Sequence, residues 1–207
     1  MHRHLVYVAD PMCSWCWGFS PVIESVREHF GGELPVDLLL GGLRPGTTQA
    51  MDDALKASIR GHWQHVHERT GQPFDFSFFD RSGFVYDTEP PSRAAVAVRR
   101  LDPGSVFGYL KRVHRAFYAE NRDVTDGRVL RELASESGID RDVFTEMFAA
   151  EETRRETLED FAAARRLGIN GFPALIAGRD RDGYEVIAVG YRPYDQVEGL
   201  IHSWLEG

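Results

Sequence analysis

The sequence predicts an α/β fold that reads β-α-β, then a long all-helical stretch, then β-β-α. Three observations carry this. The first forty or so residues alternate an apolar run, an amphipathic stretch and a second apolar run. Residues 43–166 carry apolar side chains at helical period. The chain then returns to short apolar runs separated by a turn signal. The expected division is 1–42 together with 167–207 as one domain, and 43–166 as a helical insertion.

Leu5–Ala9 reads as a buried strand, and Ser20-Pro21 begins or kinks a helix that runs to Phe30 and stops at Gly31-Gly32. Pro35–Leu40 has the continuous apolar run of a central parallel strand. Asp52–Thr70 reads as a polar helix carrying Leu55, Ile59 and Trp63. Gln72–Tyr86 is irregular and aromatic; its Phe74, Phe76, Phe78, Phe79 and Phe84 are expected in the core rather than along a groove. Glu89-Pro90-Pro91-Ser92 opens a helix that Asp102-Pro103 breaks. Val106, Leu110, Val113 and Phe117 mark the next helix, and Val129, Leu130 and Leu133 a shorter one closed by Gly138. Asp140 suits an N-cap, with Val143, Phe144, Met147 and Phe148 inward. Glu151–Leu167 is a charged helix with Leu158, Phe161 and Ala162 inward, ending at Gly168. Ala174–Ala177 and Tyr184–Val189 read as strands joined through an Asp182-Gly183 turn, and Tyr194–Trp204 as a final helix with Val197, Leu200, Ile201 and Trp204 on one side.

The chemistry concentrates in Asp10-Pro11-Met12-Cys13-Ser14-Trp15-Cys16-Trp17-Gly18-Phe19, which holds both cysteines at a strand-to-helix junction. A first cysteine at a helix N-terminus meets free N–H groups and the positive dipole end, which favour the thiolate. The second, one turn on, lies within reach of the first sulfur. Cys13 is therefore the expected nucleophile, accessible and with a depressed pKa, and Cys16 the more buried resolving thiol. A zinc site is the competing use of such a pair, but structural zinc takes four ligands, and His62, His65 and His67 lack helical i, i+4 spacing. No metal is expected. Asp10 and Glu24 are candidate acids for the proton of Cys16; the competing reading makes Asp10 a strand-end turn residue and Glu24 a solvated helix position.

That segment resembles the redox-active motif of thioredoxin-fold thiol–disulfide oxidoreductases, and within them the DsbA family with its cytoplasmic branch of protein-disulfide isomerases. A second motif, Leu167-Gly168-Ile169-Asn170-Gly171-Phe172-Pro173-Ala174, enters the third strand where that family carries a proline loop. The resemblance covers essentially the whole chain. It implies a thioredoxin-like fold with a helical insertion and a cis Phe172–Pro173 bond facing the Cys pair. It further implies substrate binding by Phe172, Pro173 and Trp15, with Phe172 offering its backbone to an incoming peptide. The function it implies is disulfide exchange with protein or thiol substrates. The cofactor is the redox-active disulfide itself, with glutathione as candidate co-substrate. Relatives with histidine between the cysteines gain a thiolate-stabilising donor; Ser14-Trp15 stands there instead, which argues against strong oxidising power. Two alternatives use the same fold: a glutathione-dependent isomerase or transferase of the hydroxychromene-carboxylate isomerase and kappa type, which usually carries serine at the active position, and a redox-sensing protease adaptor.

Composition bounds the partners. Among 207 residues, 43% are hydrophobic and the net charge is −8, which suits a globular core and argues against nucleic acid or anionic membrane as partner. No apolar run approaches the roughly 20 residues a bilayer requires. The start Met1-His2-Arg3-His4 lacks a leader-like apolar region, so the expected compartment is the cytoplasm, where an isolated Cys pair is catalytic rather than structural. Oligomeric state is left open.

Overall fold

The computed structural model describes residues 3–179 and 183–207. In chain order the elements are β1 (Arg3–Ala9), α1 (Ser14–Phe30), β2 (Val36–Leu40), α2 (Asp53–Thr70), α3 (Glu89–Leu101), α4 (Val106–Tyr118), α5 (Gly127–Glu136), α6 (Arg141–Ala149), α7 (Glu151–Arg166), β3 (Ala174–Arg179), β4 (Gly183–Val189) and α8 (Tyr194–Glu206). The strands form one sheet in the order β2-β1-β3-β4. β1 runs parallel to β2 and antiparallel to β3, and β3 runs antiparallel to β4. This is the β-α-β, helical block, β-β-α arrangement of a thioredoxin-like fold with an insertion. The Asp182 half of the expected hairpin turn lies outside the described residues; Gly183 takes φ +80°.

Side-chain alternation along β1 feeds two cores. Leu5, Tyr7 and Ala9 join the main cluster with Val22, Ile23 and Val26 of α1, Val197 and Ile201 of α8, and Tyr109, Val113 and Phe117 of α4. Val6 and Val8 face a smaller cluster with Ala164, Ile169, Ala174 and Ile176. Burial on both faces is what makes these strands read as unbroken apolar runs.

The helices form where caps and breakers predict. Asp52 accepts from Leu55 N at 2.7 Å, and Asp140 from Asp142 N and Val143 N. Prolines occupy the first turn of α3, and Asp102 terminates it. The aromatic segment packs inward as expected: Trp63, fully buried, lies 5.0 Å from Phe78 and 4.8 Å from Phe79 between ring centroids.

Four details differ from the sequence reading. First, α1 begins at Ser14 and runs through Pro21 rather than starting there. Proline at 21 leaves the carbonyl of Trp17 without its i+4 donor. Gln72 Nε2 supplies that bond from outside the helix at 3.3 Å. Second, β2 is an edge strand, not a central one. Third, Val143 and Leu158 are about half exposed and Leu200 is 37% exposed, while Met147 and Phe148 are only partly buried. Fourth, α7 turns Thr153, Thr157, Asp160, Phe161 and Ala164 inward, so its buried face is largely polar.

That polar face completes the edge of β2. Leu5 N donates to Pro35 O and Gly41 N to Ala9 O, so residues 36, 38 and 40 turn their backbone groups away from β1. There Leu40 N donates to Asp160 Oδ2 at 3.1 Å, and Leu38 O accepts from Arg99 Nη1 at 2.9 Å. Arg99 and Asp160 pair bidentately at 2.8 and 3.1 Å. A side-chain ion pair thus stands where another strand would hydrogen-bond, and the exposed-edge problem is removed. Removing one partner of a buried pair leaves the other charge and a backbone donor unsatisfied. Asp160→Ala should therefore cost about 3 kcal/mol in chemical denaturation. Glu152→Ala, at an exposed Arg100 pair, should stay within about 0.5 kcal/mol. Equal losses would show that the edge contact contributes nothing special.

Candidate active site

Cys13 is the N-cap of α1, in extended conformation at φ −93°, and its carbonyl accepts from Cys16 N and Trp17 N. The helix therefore opens on the cysteine, with no acidic residue in its first turn to compete for the N–H groups. Cys13 is 7% exposed and Cys16 is 0% exposed; both are free thiols. The expected ranking of the two holds, but Cys13 is more enclosed than its role as an accessible nucleophile suggested. The cause is the loop that covers it. The Phe172–Pro173 bond is cis, and Cys13 Sγ donates to Phe172 O at 3.5 Å. The second motif thus reaches the first across 159 residues. Burial, reinforced by the adjacent Cys13 sulfur, pushes the Cys16 thiol well up, while a backbone hydrogen bond from Asp10 pulls the other way.

Behind the pair lies a polar group of residues that sequence reasoning met only in part. Asp10 is fully buried, and its hydrogen bonds are those of the strand-end turn reading. Its Oδ1 accepts from Met12 N at 2.9 Å as a turn residue, its Oδ2 accepts from Leu43 N at 2.7 Å, and it is an interior acid. Burial raises its carboxyl from 3.8 to about 6. Glu24 is a solvated position paired with Lys111. His114 was missed. It is 1% exposed, with Nε2 3.1 Å from Asp10 O and Nδ1 3.5 Å from Ser20 Oγ. A carbonyl only accepts, so Nε2 carries the proton and Nδ1 faces the serine. Burial lowers its pKa from 6.5 to about 4. Tyr86, also missed, donates to Met12 O at 2.6 Å, and burial pushes the phenols of Tyr7, Tyr86 and Tyr118 up, so all three stay neutral. The signal for His114 was its place on the apolar stripe of α4, one residue after Val113.

In front of the pair is a cleft of about 520 Å3 lined by Trp15, His65, Arg69, Phe172, Gly190 and Tyr191. Trp15 and Phe172 are the residues expected to meet substrate; Pro173 is buried behind Phe172. Two glycines make this geometry. A Cβ at Gly41 would lie 2.0 Å from Phe172 Cε1, so only glycine lets that ring lie against the end of β2. A Cβ at Gly18 would lie 2.9 Å from Val66, so glycine lets α2 approach α1 and bring His65 and Arg69 to the cleft. The Arg69 guanidinium sits over the Tyr191 ring at 5.9 Å. His62 and His67 do not join these lining residues.

A dithiol at the head of the first helix, opposed by a cis-proline loop on this sheet, defines a thioredoxin-fold protein of the thiol–disulfide oxidoreductase class. The model of the DSBA-like thioredoxin domain matches residues 4–202, and the chain belongs to that family. A candidate protein disulfide isomerase from Nitrosomonas europaea is 40% identical, superimposes with TM-score 0.94, and is covered over 98% of its length by all of this chain. The cytosolic disulfide reductase DsbM from Pseudomonas aeruginosa is 30% identical with TM-score 0.80, over 98% of both chains. It has also been solved with GSH. Among curated proteins, the ClpXP adapter protein SpxH of Bacillus subtilis is 21% identical over 95% of this chain and 65% of its own, so the chain spans just under two thirds of that relative. No helix among the described residues is long and apolar enough to cross a membrane.

Asp10 and His114 oppose each other in their effect on stability. Between pH 4 and 6 the folded chain holds the Asp10 proton and the unfolded chain does not, so this group makes stability fall as pH rises. Between pH 4 and 6.5 the unfolded chain protonates His114 and the folded chain does not, so this one makes stability rise with pH. Each effect is worth about 3 kcal/mol across its window, at about 1.4 kcal/mol per pH unit. Relative to wild type, Asp10→Asn should steepen the loss of stability on acidification from pH 6.5 to 4, and His114→Gln should reverse it. Urea unfolding at several pH values reads both. Parallel curves for the three proteins would show that neither group is buried as described.

Proposed function

We propose that this chain is a cytoplasmic dithiol reductase and exchanger of disulfides, with Cys13 as nucleophile, Cys16 as resolving thiol, and glutathione as a small-thiol co-substrate. The observation that carries it is the asymmetry of the pair: Cys13 lies at the helix head beside the cleft and the Phe172 carbonyl, and Cys16 is sealed beneath it next to an interior acid.

In the reductive direction the Cys13 thiolate attacks one sulfur of a substrate disulfide, forming a mixed disulfide and releasing the other sulfur as a thiolate that takes a proton from solvent. The Cys16 thiol then gives its proton to the Asp10 carboxylate and attacks Cys13 Sγ. This expels the second substrate thiol and leaves the Cys13–Cys16 disulfide. Two equivalents of a small thiol such as glutathione return the pair to the dithiol and are themselves oxidised to one disulfide. If Cys16 does not close, the mixed disulfide passes to another substrate thiol, and the outcome is isomerisation. Two features favour the reductive direction. The position between the cysteines carries no histidine, and a 30%-identical relative is a cytosolic disulfide reductase. The cleft offers a cation, Arg69, for a carboxylate, and aromatic walls, Trp15 and Tyr191, for the body of a peptide.

A second reading as a protease adaptor rests on the SpxH relatives alone. The two separate cleanly, because adaptor binding does not need a nucleophilic sulfur.

Reduction of insulin disulfides by glutathione, with the oxidised glutathione recycled by its reductase, tests the proposal. Cys13→Ser should abolish turnover, and Cys16→Ser should accumulate mixed disulfides resolvable on a non-reducing gel. In the insulin assay, Arg69→Glu should raise KM for glutathione about tenfold, as loss of one charge-assisted contact predicts, with kcat little changed. Turnover that survives Cys13→Ser would refute the assignment.

A further inference from the structure

The far end of α1 carries a second constellation that the redox chemistry does not use. His29 lies 16 residues after Cys13, about 24 Å along the helix axis. There α1 packs against α8, and His29, Glu198 and His202 bring one ligand atom each within 4.8 Å of one another. We propose that these three side chains form a binding site for a divalent transition-metal ion of the zinc type.

Four observations support this. Glu198 and His202 stand at i and i+4 on α8, one turn apart on the same face, which is the spacing that lets two helical side chains share an ion. The third donor arrives from the neighbouring helix, with His29 Nε2 4.0 Å from Glu198 Oε1. Packing gathers the donors without locking His29. The Phe30 ring, 7% exposed, lies edge-on to both imidazoles, with centroids 4.7 Å from His29 and 5.3 Å from His202. Tyr194 Oη donates to Glu198 Oε1 at 2.9 Å, the kind of supporting hydrogen bond that fixes a ligating carboxylate. The site also has room: a cleft of about 400 Å3 lined by His29, His202 and Glu33 opens beside it.

The donor set names the ion class. Two imidazoles and one carboxylate suit zinc and its neighbours, whereas calcium and magnesium take oxygen alone. Bonds of about 2.0–2.1 Å in tetrahedral geometry set ligand atoms about 3.4 Å apart, so closure from the present spacing needs only side-chain rotation. His29, with its side chain 55% exposed, is free to make it. Three protein ligands leave the fourth position to water. Arg3 lines the same cleft, but its guanidinium is committed to Leu205 O at 3.0 Å and to the Trp204 ring.

Calorimetric titration of the untagged chain with zinc alone tests this. Cys13 and Cys16 are themselves zinc ligands, so the titration is run with the pair oxidised to its disulfide. The expected result is one equivalent bound, weakened at least about tenfold in each of His29→Asn, Glu198→Gln and His202→Asn, and unchanged in His62→Asn. The melting temperature should rise with zinc in wild type and not in His202→Asn, whose zinc-free melting temperature should match wild type. Absence of saturable binding up to roughly 100 μM zinc overturns the proposal, as does binding that all three substitutions leave unchanged.

Discussion

The interaction on which the redox site depends is a buried carboxylate holding three parts of the chain together. One oxygen of Asp10 fixes the loop between β1 and α1 through Met12 N, and the other fixes the loop after β2 through Leu43 N. Its backbone carbonyl takes the hydrogen bond of His114 from α4. The first ties decide where α1 begins, and hence that Cys13 and not a later residue is its cap. The last ties the insertion to the floor of the site. A carboxylate is costly to bury, and its raised pKa reflects that cost. In the proposed mechanism the same cost would suit Asp10 to accept the Cys16 proton near neutral pH. Structure and chemistry therefore draw on one group, and His114 offsets its effect on stability.

Much of this was legible in the sequence. The strand-to-helix setting of Cys13 and Cys16 and the helical block between β2 and β3 follow from spacing and period, and the cis Phe172–Pro173 bond follows from the family resemblance of the second motif. Apolar content is a poor guide to burial where polar side chains complete a strand edge. β2 looked central because its side chains are apolar, yet its outer backbone edge is satisfied by Arg99 and Asp160, which no periodicity announces. Leu158 was expected inward on α7, but the inward face is fixed by Asp160 and by Thr153 and Thr157, whose chemistry suits a strand edge. Pro21 reads as a helix start, and only the distant Gln72 makes it an interior residue. His114 could not be told from any other polar residue on an apolar stripe until Asp10 and Ser20 were placed around it. The metal-like set at His29 is spread over 173 residues of sequence and left no local signature.

The cleft is built jointly by the thioredoxin-like part and the insertion. The cysteine pair and the Phe172–Pro173 loop come from the thioredoxin-like part and fix where a sulfur can react. His65 and Arg69 come from α2, and their position depends on Gly18, because any side chain there would push α2 off α1 by collision with Val66 and Thr70. Phe172 depends in the same way on Gly41. The polar and charged part of the cleft can thus move with the packing of α2, while the reacting atoms are held by Asp10 and the head of α1. A change in the α1–α2 contact would reshape the cleft while Asp10 still holds the head of α1. The charged side of the cleft, residues 65–70 on α2, is thus placed by a different contact from the one that places Cys13 and Cys16.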